Sequence, residues 1–360
     1  MRRLIRYGEW GVDIFFVLSG FLLTIPWIKN GIKTPTWSET IRFYQRRALR
    51  ILPALYFTLL ILIYILQYGL DPLPTPTQML QHALFINVWF GSKPLRGAFW
   101  SLPVEAYFYL FLLLFLIAAV RLRSFVGLMT LVIIVAIAVR TIAFYSPLIH
   151  NKAAYLWSFF GRADQFAIGA LFAYKFVKQP LNARLGSIAI VTSVFGLIAM
   201  ASFMGRPGDT LNNGPTIFLI YQTFVGAIAG LLVYGAASKS KLSKFIFGNV
   251  IMTFIGTISY SVYLSHTIVL DIFVKIHPVH SIPESNRLGI ITAYTWPPIF
   301  IAATLSYFLV ERYFLKLRHA PGQVSHSFVQ KYPMRFLALT VIALVALTWL
   351  ARVTQMIGAT

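Results

Sequence analysis

The chain has 360 residues, of which 58% are hydrophobic and 11% are charged, and its formal net charge is +21. Soluble domains carry about 25% charged residues, so this composition excludes a soluble fold. The chain contains no cysteine, which excludes disulfides, thiolate nucleophiles and cysteine-based metal sites.

Apolar runs long enough to cross a bilayer recur along the chain. Because backbone in lipid must satisfy its own hydrogen bonds, these runs predict an all-α fold, a polytopic transmembrane helix bundle of about ten spans. The predicted spans are residues 10–28, 51–69, 103–120, 125–143, 155–175, 187–204, 216–237, 250–273, 289–310 and 336–351. A shorter apolar segment, 83–90, is interpreted as a re-entrant or interfacial piece. Residues 1–312 are predicted to form one bundle, and residues 313–360 a cytoplasmic linker followed by a C-terminal transmembrane helix.

The distribution of lysine and arginine orients the bundle. The loops 29–50, 121–124, 176–186, 238–249 and 311–335, with Lys175, hold 19 of these residues, and the opposite set of loops holds 10. The positive-inside rule places the first set in the cytoplasm and explains the net charge without a nucleic-acid partner.

The same orientation places the N-terminal tail, with Arg2, Arg3 and Arg6, outside the membrane. Short arginine-rich tails resist translocation. We therefore expect that a further helix precedes Met1 in the natural protein. The alternative is that a few arginines are tolerated outside.

Seven ionisable residues fall within the predicted spans or at their outer ends, where a charge requires a partner or a function. They are Asp13, Glu105, Arg140, Arg162, Asp164, His266 and Asp271. They form either one polar chamber open to the outside or separate ion pairs that hold helices together.

Glu105 follows Pro103, which suits the first turn of a helix, and Ser101, which can cap that helix. Glu105 is then expected in the first turn, where the helix dipole favours a carboxylate. In a functional interpretation, its carboxylate orients a histidine or accepts a proton. In a structural interpretation, it forms an ion pair with Arg162 or Arg140.

Ser259, Tyr263 and His266 are spaced i, i+4 and i+7, so they share one helix face, which we expect to face the bundle interior. Histidine is the side chain best matched to proton transfer near neutral pH. His266 is therefore either a general base or a hydrogen-bonded packing residue. A metal site is not predicted, because no second histidine lies at ligand spacing on this helix.

Arg46, Arg47 and Arg50 lie just before the second predicted span. Arg46 and Arg50 share a helix face, and guanidinium groups in such a fork bind phosphates in a bidentate manner. The alternative is positive-inside anchoring with contacts to anionic lipid head groups.

Four stretches, in this order along the chain, are informative together: Gly11–Phe21, Arg46–Pro53, Trp100–Tyr109 and Ser259–His266. In the first, Ser19 and Gly20 allow two helices to approach closely. Over roughly residues 8–312 the chain resembles the membrane acyltransferase-3 family, whose members O-acylate bacterial surface glycans and some secondary metabolites. The resemblance implies a multi-pass O-acyltransferase of the cytoplasmic (inner) membrane. Such an enzyme moves an acyl group, commonly acetyl, from cytoplasmic acyl-CoA to a hydroxyl of an extracytoplasmic glycan or glycolipid.

From the residues and the resemblance together, we predict three sets of site residues and no metal site. The donor-binding set is Arg46, Arg47 and Arg50. The catalytic set is His266 and Glu105. The cavity-lining set is Arg162, Asp13, Tyr263 and Ser259.

The chain departs from the family pattern in two places. Family members begin with a helix that carries a histidine, regarded as the catalytic base, and no residue here corresponds to it. Glu311-Arg312-Tyr313 also lacks a proline that is common near this position. The base is therefore either absent, as in an inactive truncated homologue, or replaced by His266, with Glu105 as orienter or proton acceptor.

The alternative function, from another class of protein, is a transporter of a lipid-linked or anionic sugar. Such transporters typically contain an internal repeat, and the sequence shows none.

Overall fold

The computed structural model describes residues 10–61, 74–87, 95, 97–147, 155, 157–203, 215–277 and 284–317. These residues form helices and turns without a β-strand, which confirms the predicted all-α class. The α-helices are α1 Trp10–Lys29, α2 Trp37–Ile61, α3 Pro76–Ala83, α4 Ser101–Arg121, α5 Phe125–Tyr145, α6 Phe159–Lys178, α7 Ala183–Phe203, α8 Pro215–Ala236, α9 Lys241–Phe247, α10 Val250–Ile276, α11 Glu284–Ser306 and α12 Arg312–Leu317. A 3-10 turn, Gly97–Trp100, leads into α4, and a π turn, Tyr307–Glu311, joins α11 to α12.

Seven helical segments of the described chain are long and apolar enough to cross a membrane. They are Trp10–Lys29, Gly97–Arg121, Phe125–Tyr145, Ala183–Ser202, Leu219–Ala236, Val250–Ile276 and Arg287–Leu317. The protein is therefore a multi-pass membrane protein, as predicted. The predicted span 336–351, residues 62–69 of the second span and the three arginines of the N-terminal tail lie outside the described residues.

The described residues divide into two compact units, each built from two separated stretches of chain. The first unit draws on Met1–Thr36 and Val104–Thr253, and the second on Trp37–Pro103 and Phe254–Thr360. The single bundle expected over residues 1–312 stays a prediction.

Helix α6 lies at the centre of the first unit, where it packs against α1, α5 and α8. Residues Gly161–Ala170 are all buried, although they include Arg162, Asp164 and Gln165. These polar residues make α6 less apolar than the seven segments above. Burial on all sides means that each of its polar groups must find a partner within the protein.

Helices α1 and α6 cross with their backbones in close approach. A Cβ atom on Gly20 would overlap the carbonyl group of Phe166, and a Cβ atom on Gly169 would overlap the carbonyl oxygen of Val17. The crossing therefore requires a glycine on each helix, which confirms the expectation for Gly20. The ring of Phe16 packs beside the crossing, 4.8 Å from that of Phe166.

In the second unit α2 runs unbroken through the three arginines and into the predicted span. The hydroxyl of Tyr260 on α10 donates to the carbonyl of Ile51 at 3.0 Å. The hydroxyl of Tyr56 donates to the carbonyl of Ala83, the last residue of α3, at 3.1 Å. These bonds attach α10 and α3 to the middle of α2. Of the predicted re-entrant piece 83–90, the described part is the end of α3 and the turn that follows it.

Candidate functional site

Two buried ion pairs lie in the first unit. Arg162 Nη1 lies 2.6 Å from Asp13 Oδ1, and Gln165 Nε2 donates to the same oxygen at 2.7 Å. Arg140 Nη2 lies 2.9 Å from Asp164 Oδ2. Four of the seven ionisable residues predicted within the membrane are therefore paired, as the ion-pair interpretation expected.

Arg140 is fully buried and joins three helices. Its Nε donates to the carbonyl of Leu219 at 3.0 Å, and its Nη1 donates to the carbonyl of Gly161 at 2.7 Å. Its Nη2 also donates to the hydroxyl of Thr223 at 2.6 Å, and Thr223 in turn donates to Asp164 at 2.5 Å. This guanidinium ties α5, α6 and α8 together, so we interpret it as architectural.

Glu105 on α4 is buried, with 5% of its surface exposed. The hydroxyl of Tyr109 donates to its Oε1, and so does the hydroxyl of Ser19, at 3.4 Å. The predicted position in the first turn of a helix is wrong, because helical backbone begins at Gly97, about two turns earlier. Hydroxyl donors, rather than the helix N-terminus, therefore surround this carboxyl group.

His266 on α10 is half-buried, and its Nδ1 lies 2.6 Å from the backbone carbonyl oxygen of Tyr263. Because a carbonyl oxygen can only accept, Nδ1 carries the proton of this bond. The lone pair of the neutral ring is then on Nε2. A neutral His266 in this geometry can therefore accept a proton at Nε2.

The hydroxyl of Tyr263 is held at the start of α4. It donates to the carbonyl of Ala98 and accepts a hydrogen bond from the hydroxyl of Ser101 at 2.5 Å. The rings of Tyr263 and His266 also lie together, with centroids 5.4 Å apart. Ser101, Tyr263 and His266 thus form one cluster in the second unit.

Two further predicted site residues of α10, Ser259 and Asp271, are exposed. The hydroxyl of Ser259 donates to the carbonyl of Gly256 in its own helix, at 2.8 Å. The place of these two residues in a polar chamber stays a prediction.

The three arginines of α2 differ in exposure. Arg46 is exposed, whereas Arg47 and Arg50 are partly buried. Nη1 of Arg50 forms an ion pair with Glu311, and its guanidinium lies 5.9 Å from the centre of the Tyr260 ring. The side chain of Arg50 remains 27% exposed despite this ion pair.

Glu311 is a residue that the sequence analysis missed. It is 1% exposed, lies on the π turn, and accepts a hydrogen bond at 3.0 Å from the hydroxyl of Ser261. The predicted span ended at residue 310 and left Glu311 in a cytoplasmic loop, whereas helical structure continues to Leu317. The sequence does contain one signal for Glu311: a carboxylate directly follows an apolar run, and acidic residues are rare in this chain, which has 10 of them.

These features define a class of protein: a multi-pass membrane protein with ion pairs buried among its helices and a hydrogen-bonded histidine. Residues 3–316 match the model of a family described as the acyltransferase domain (acyltransferase 3). The chain belongs to this family, the membrane acyltransferases that its motifs resembled. Family membership goes against the sugar-transporter interpretation.

Three relatives illustrate the similarity. The O-acetyltransferase OatA of Staphylococcus aureus is 24% identical over 290 residues, which cover 72% of this chain and 45% of that protein. The peptidoglycan O-acetyltransferase OatA of Listeria monocytogenes is 28% identical over 336 residues, 84% of this chain and 51% of that protein. The exopolysaccharide production protein ExoZ of Rhizobium meliloti is 25% identical over 281 residues, 74% of this chain and 78% of that protein. This chain therefore spans about half the length of the two O-acetyltransferases. No solved structure matches it.

Proposed function

We propose that the protein transfers an acetyl group from cytoplasmic acetyl-CoA to a hydroxyl of an extracytoplasmic glycan or glycolipid, at the cytoplasmic membrane. Membership of the acyltransferase family and the names of its relatives, a peptidoglycan O-acetyltransferase among them, support this reaction. One observation carries the proposal: a single compact unit holds both a cluster of arginines and a histidine whose Nδ1 is hydrogen-bonded to a backbone carbonyl. Phosphate binding and proton removal are the two tasks that this transfer requires of the protein.

The arginines of α2 bind the phosphates of the donor. Arg46 is exposed and Arg47 is partly buried, at the end of α2 that the positive-inside rule places in the cytoplasm. Arg50 is held by Glu311 through one Nη atom, and a guanidinium has five N–H donors, so donors remain for a phosphate. Glu311 acts as a positioning residue, because its buried carboxylate fixes the direction in which Arg50 points.

His266 acts as the general base. Its Nε2 takes the proton of the acceptor hydroxyl as the oxygen attacks the thioester carbonyl carbon. The carbon–sulfur bond then breaks, the acyl group remains on the acceptor oxygen, and the thiolate of coenzyme A leaves and takes up a proton. The cluster with Ser101 and Tyr263 keeps the imidazole in one orientation, which general base catalysis requires.

Glu105 is the second proposed catalytic residue. Its buried carboxyl group, with Tyr109 and Ser19 as hydrogen-bond donors, is suited to accept a proton during turnover. Asp13 and Arg162 are proposed to line the cavity, where they hold each other as an ion pair.

Mass analysis of surface glycans from a deletion strain of the source organism tests this function. We expect the deletion to remove a fixed mass of one acetyl group per modified sugar, and a plasmid copy of the gene to restore it. An unchanged glycan profile would contradict the proposal, and loss of a different acyl mass would correct the donor.

A further inference from the structure

Helix α9, Lys241–Phe247, lies in the connection between α8 and α10, which the positive-inside rule places on the cytoplasmic side. It packs against α7 and α8 within the first unit. Ser240 caps the helix, because its hydroxyl accepts a hydrogen bond from the N–H of Ser243 at 3.0 Å. The hydroxyl of Ser243 donates to the carbonyl of Ala236, the last residue of α8. These bonds hold α9 in one orientation against the end of α8.

The exposed side of α9 combines basic and aromatic side chains. Ser243 is buried and directed at the protein, whereas Lys241, Lys244 and Phe245 lie on the far side of the helix and are exposed. The ring of Phe245 is 78% exposed. Burial of such an apolar ring away from water is favourable, so its exposure requires an apolar neighbour outside the protein. Lysines beside an exposed aromatic ring are typical of helices that lie in the interface of a membrane.

The start of α10 shows how deep α9 lies in the membrane. Helix α10 begins at Val250, and this valine is 86% exposed although it is apolar. Because α10 is long and apolar enough to cross a membrane, an exposed valine in its first turn is expected to face lipid tails. Phe245 lies five residues before Val250. Helix α9 is therefore positioned where the lipid tails meet the head groups.

The positive charge of this segment is not compensated by the protein. Lys239, Lys241 and Lys244 are exposed, and within the described ranges none of them forms an ion pair. The sequence contains no acidic residue between Asp209 and Asp271. Three ammonium groups within six residues therefore lack a carboxylate from this part of the chain and are available to an external anion.

The end of α6 brings a fourth lysine to the same side of the first unit. The hydroxyl of Tyr234, near the end of α8, donates to the carbonyl of Gln179, the residue that follows α6. Lys178 directly precedes Gln179 and is exposed. The bond thus joins the segment with Lys178 to the segment that leads into α9. We call the resulting patch the α9 surface, and it consists of Lys178, Lys239, Lys241, Lys244 and Phe245.

We propose that the α9 surface binds the head group of an anionic phospholipid, with the ring of Phe245 among the lipid tails. The lysines are complementary in charge to a phosphodiester, and basic surfaces at the cytoplasmic ends of membrane helices bind such head groups. A soluble anion would engage the lysines but leave Phe245 in water, so the combination favours an amphiphile. This inference does not depend on the proposed acetyl transfer.

A fluorescent reporter beside α9 tests the inference. The chain contains no cysteine, so Val250→Cys gives one site for a bimane label, and the exposure of Val250 keeps the label away from buried contacts. The labelled protein is reconstituted in phosphatidylcholine vesicles. Lipids with brominated tails, which quench the label, are then added as either phosphatidylglycerol or phosphatidylcholine. We expect phosphatidylglycerol to be preferred at least about 5-fold, the value of one basic residue near an anionic surface.

Two triple variants, each with the label, separate the α9 surface from the general positive charge of the cytoplasmic side. The test variant removes three charges of the α9 surface and should lower the preference to about 1: Lys239→Gln, Lys241→Gln, Lys244→Gln. The control removes three charges from exposed positions elsewhere on that side and should keep the preference: Lys29→Gln, Arg121→Gln, Arg123→Gln. If the test variant fails to fold, salt at about 1 M should lower the preference of the labelled protein without these substitutions, because it screens charges beyond about 3 Å.

Three results would overturn the inference. Equal quenching by the two lipids, or an equal preference in both triple variants, would leave the lysines with no role beyond membrane orientation. Loss of the preference on addition of inorganic phosphate or acetyl-CoA at constant ionic strength would assign the surface to a soluble anion. No quenching by either lipid would mean that another protein chain covers the α9 surface. Glycan acetylation is measured separately, so its failure would leave this inference untouched.

Discussion

Glu311 is the buried counter-ion of Arg50, although 261 residues separate the two in the sequence. Ser261 donates to the other oxygen of the carboxylate, so the π turn, α2 and α10 meet at this one group. The carboxylate engages one Nη atom of Arg50, and a guanidinium has further N–H donors for another partner. This relationship links the packing of the second unit to the donor binding that we propose for Arg50.

The first prediction concerns Glu311. Glu311→Gln keeps the shape of the side chain and a hydrogen-bond acceptor but removes the charge that orients Arg50. We expect KM for acetyl-CoA to rise about 3–10-fold, with a smaller change in kcat, in steady-state assays of purified protein. Glu311→Asp, which keeps the charge, should restore part of the loss.

A charge reversal distinguishes a role of the Arg50–Glu311 pair in donor binding from a role in protein stability alone. The double variant Arg50→Glu with Glu311→Arg restores an ion pair, so its thermal unfolding midpoint should exceed that of either single variant. Donor binding should not recover, because a carboxylate would now stand where we propose that the phosphates bind. Recovery of full transfer in the double variant would show that Arg50 has only a structural role.

The second prediction concerns His266. His266→Gln keeps a polar side chain but has no group that accepts the hydroxyl proton, so kcat should fall about 10²–10⁴-fold. His277→Gln is the control, because His277 lies at the exposed end of the same helix. Equal kcat values for the two variants would remove His266 from the reaction.

The third prediction concerns the buried ion pairs of the first unit. Arg140→Met removes a fully buried guanidinium with four hydrogen bonds and leaves Asp164 without its ion pair. Loss of one partner of a buried pair destabilises proteins by about 3–5 kcal/mol, so the unfolding midpoint in detergent should fall by several degrees. Arg184→Met, at an exposed arginine near the start of α7, should leave the midpoint unchanged.

The fourth prediction concerns the crossing of α1 and α6. Gly20→Ala places a methyl group against the backbone carbonyl of Phe166, which cannot move without displacing α6. We expect poor yield of folded protein, measured by size-exclusion chromatography in detergent. Gly11→Ala, on the same helix with open space around its Cβ position, should be neutral. Similar yields from both variants would mean that α1 and α6 do not cross so closely.

The sequence was informative about helices because a bilayer imposes an apolar run of fixed length on each span. Seven predicted spans match apolar helices for this reason. Helix α6 was predicted although it is more polar, and what the sequence did not show is that its polar residues are buried on all sides.

Partners were harder to predict than helices. The sequence supplied Asp13 and Arg162 as candidates, but 149 residues separate them, and periodicity gives no information about which helices meet. Glu311 was missed because the predicted span ended at residue 310, directly before it, whereas helical structure continues to Leu317.

The most direct test of the account supplies radiolabelled acetyl-CoA to inverted membrane vesicles, whose cytoplasmic face is outward, and measures label in the glycan enclosed within them. Vesicles with the wild-type protein should label the glycan. Vesicles with the double variant Arg46→Ala, Arg47→Ala should label it only at much higher donor concentration. Vesicles with the control variant Arg184→Ala should match the wild type. Label that appears with the donor on the opposite face, or that does not depend on Arg46 and Arg47, would contradict the assignment of these arginines to the donor.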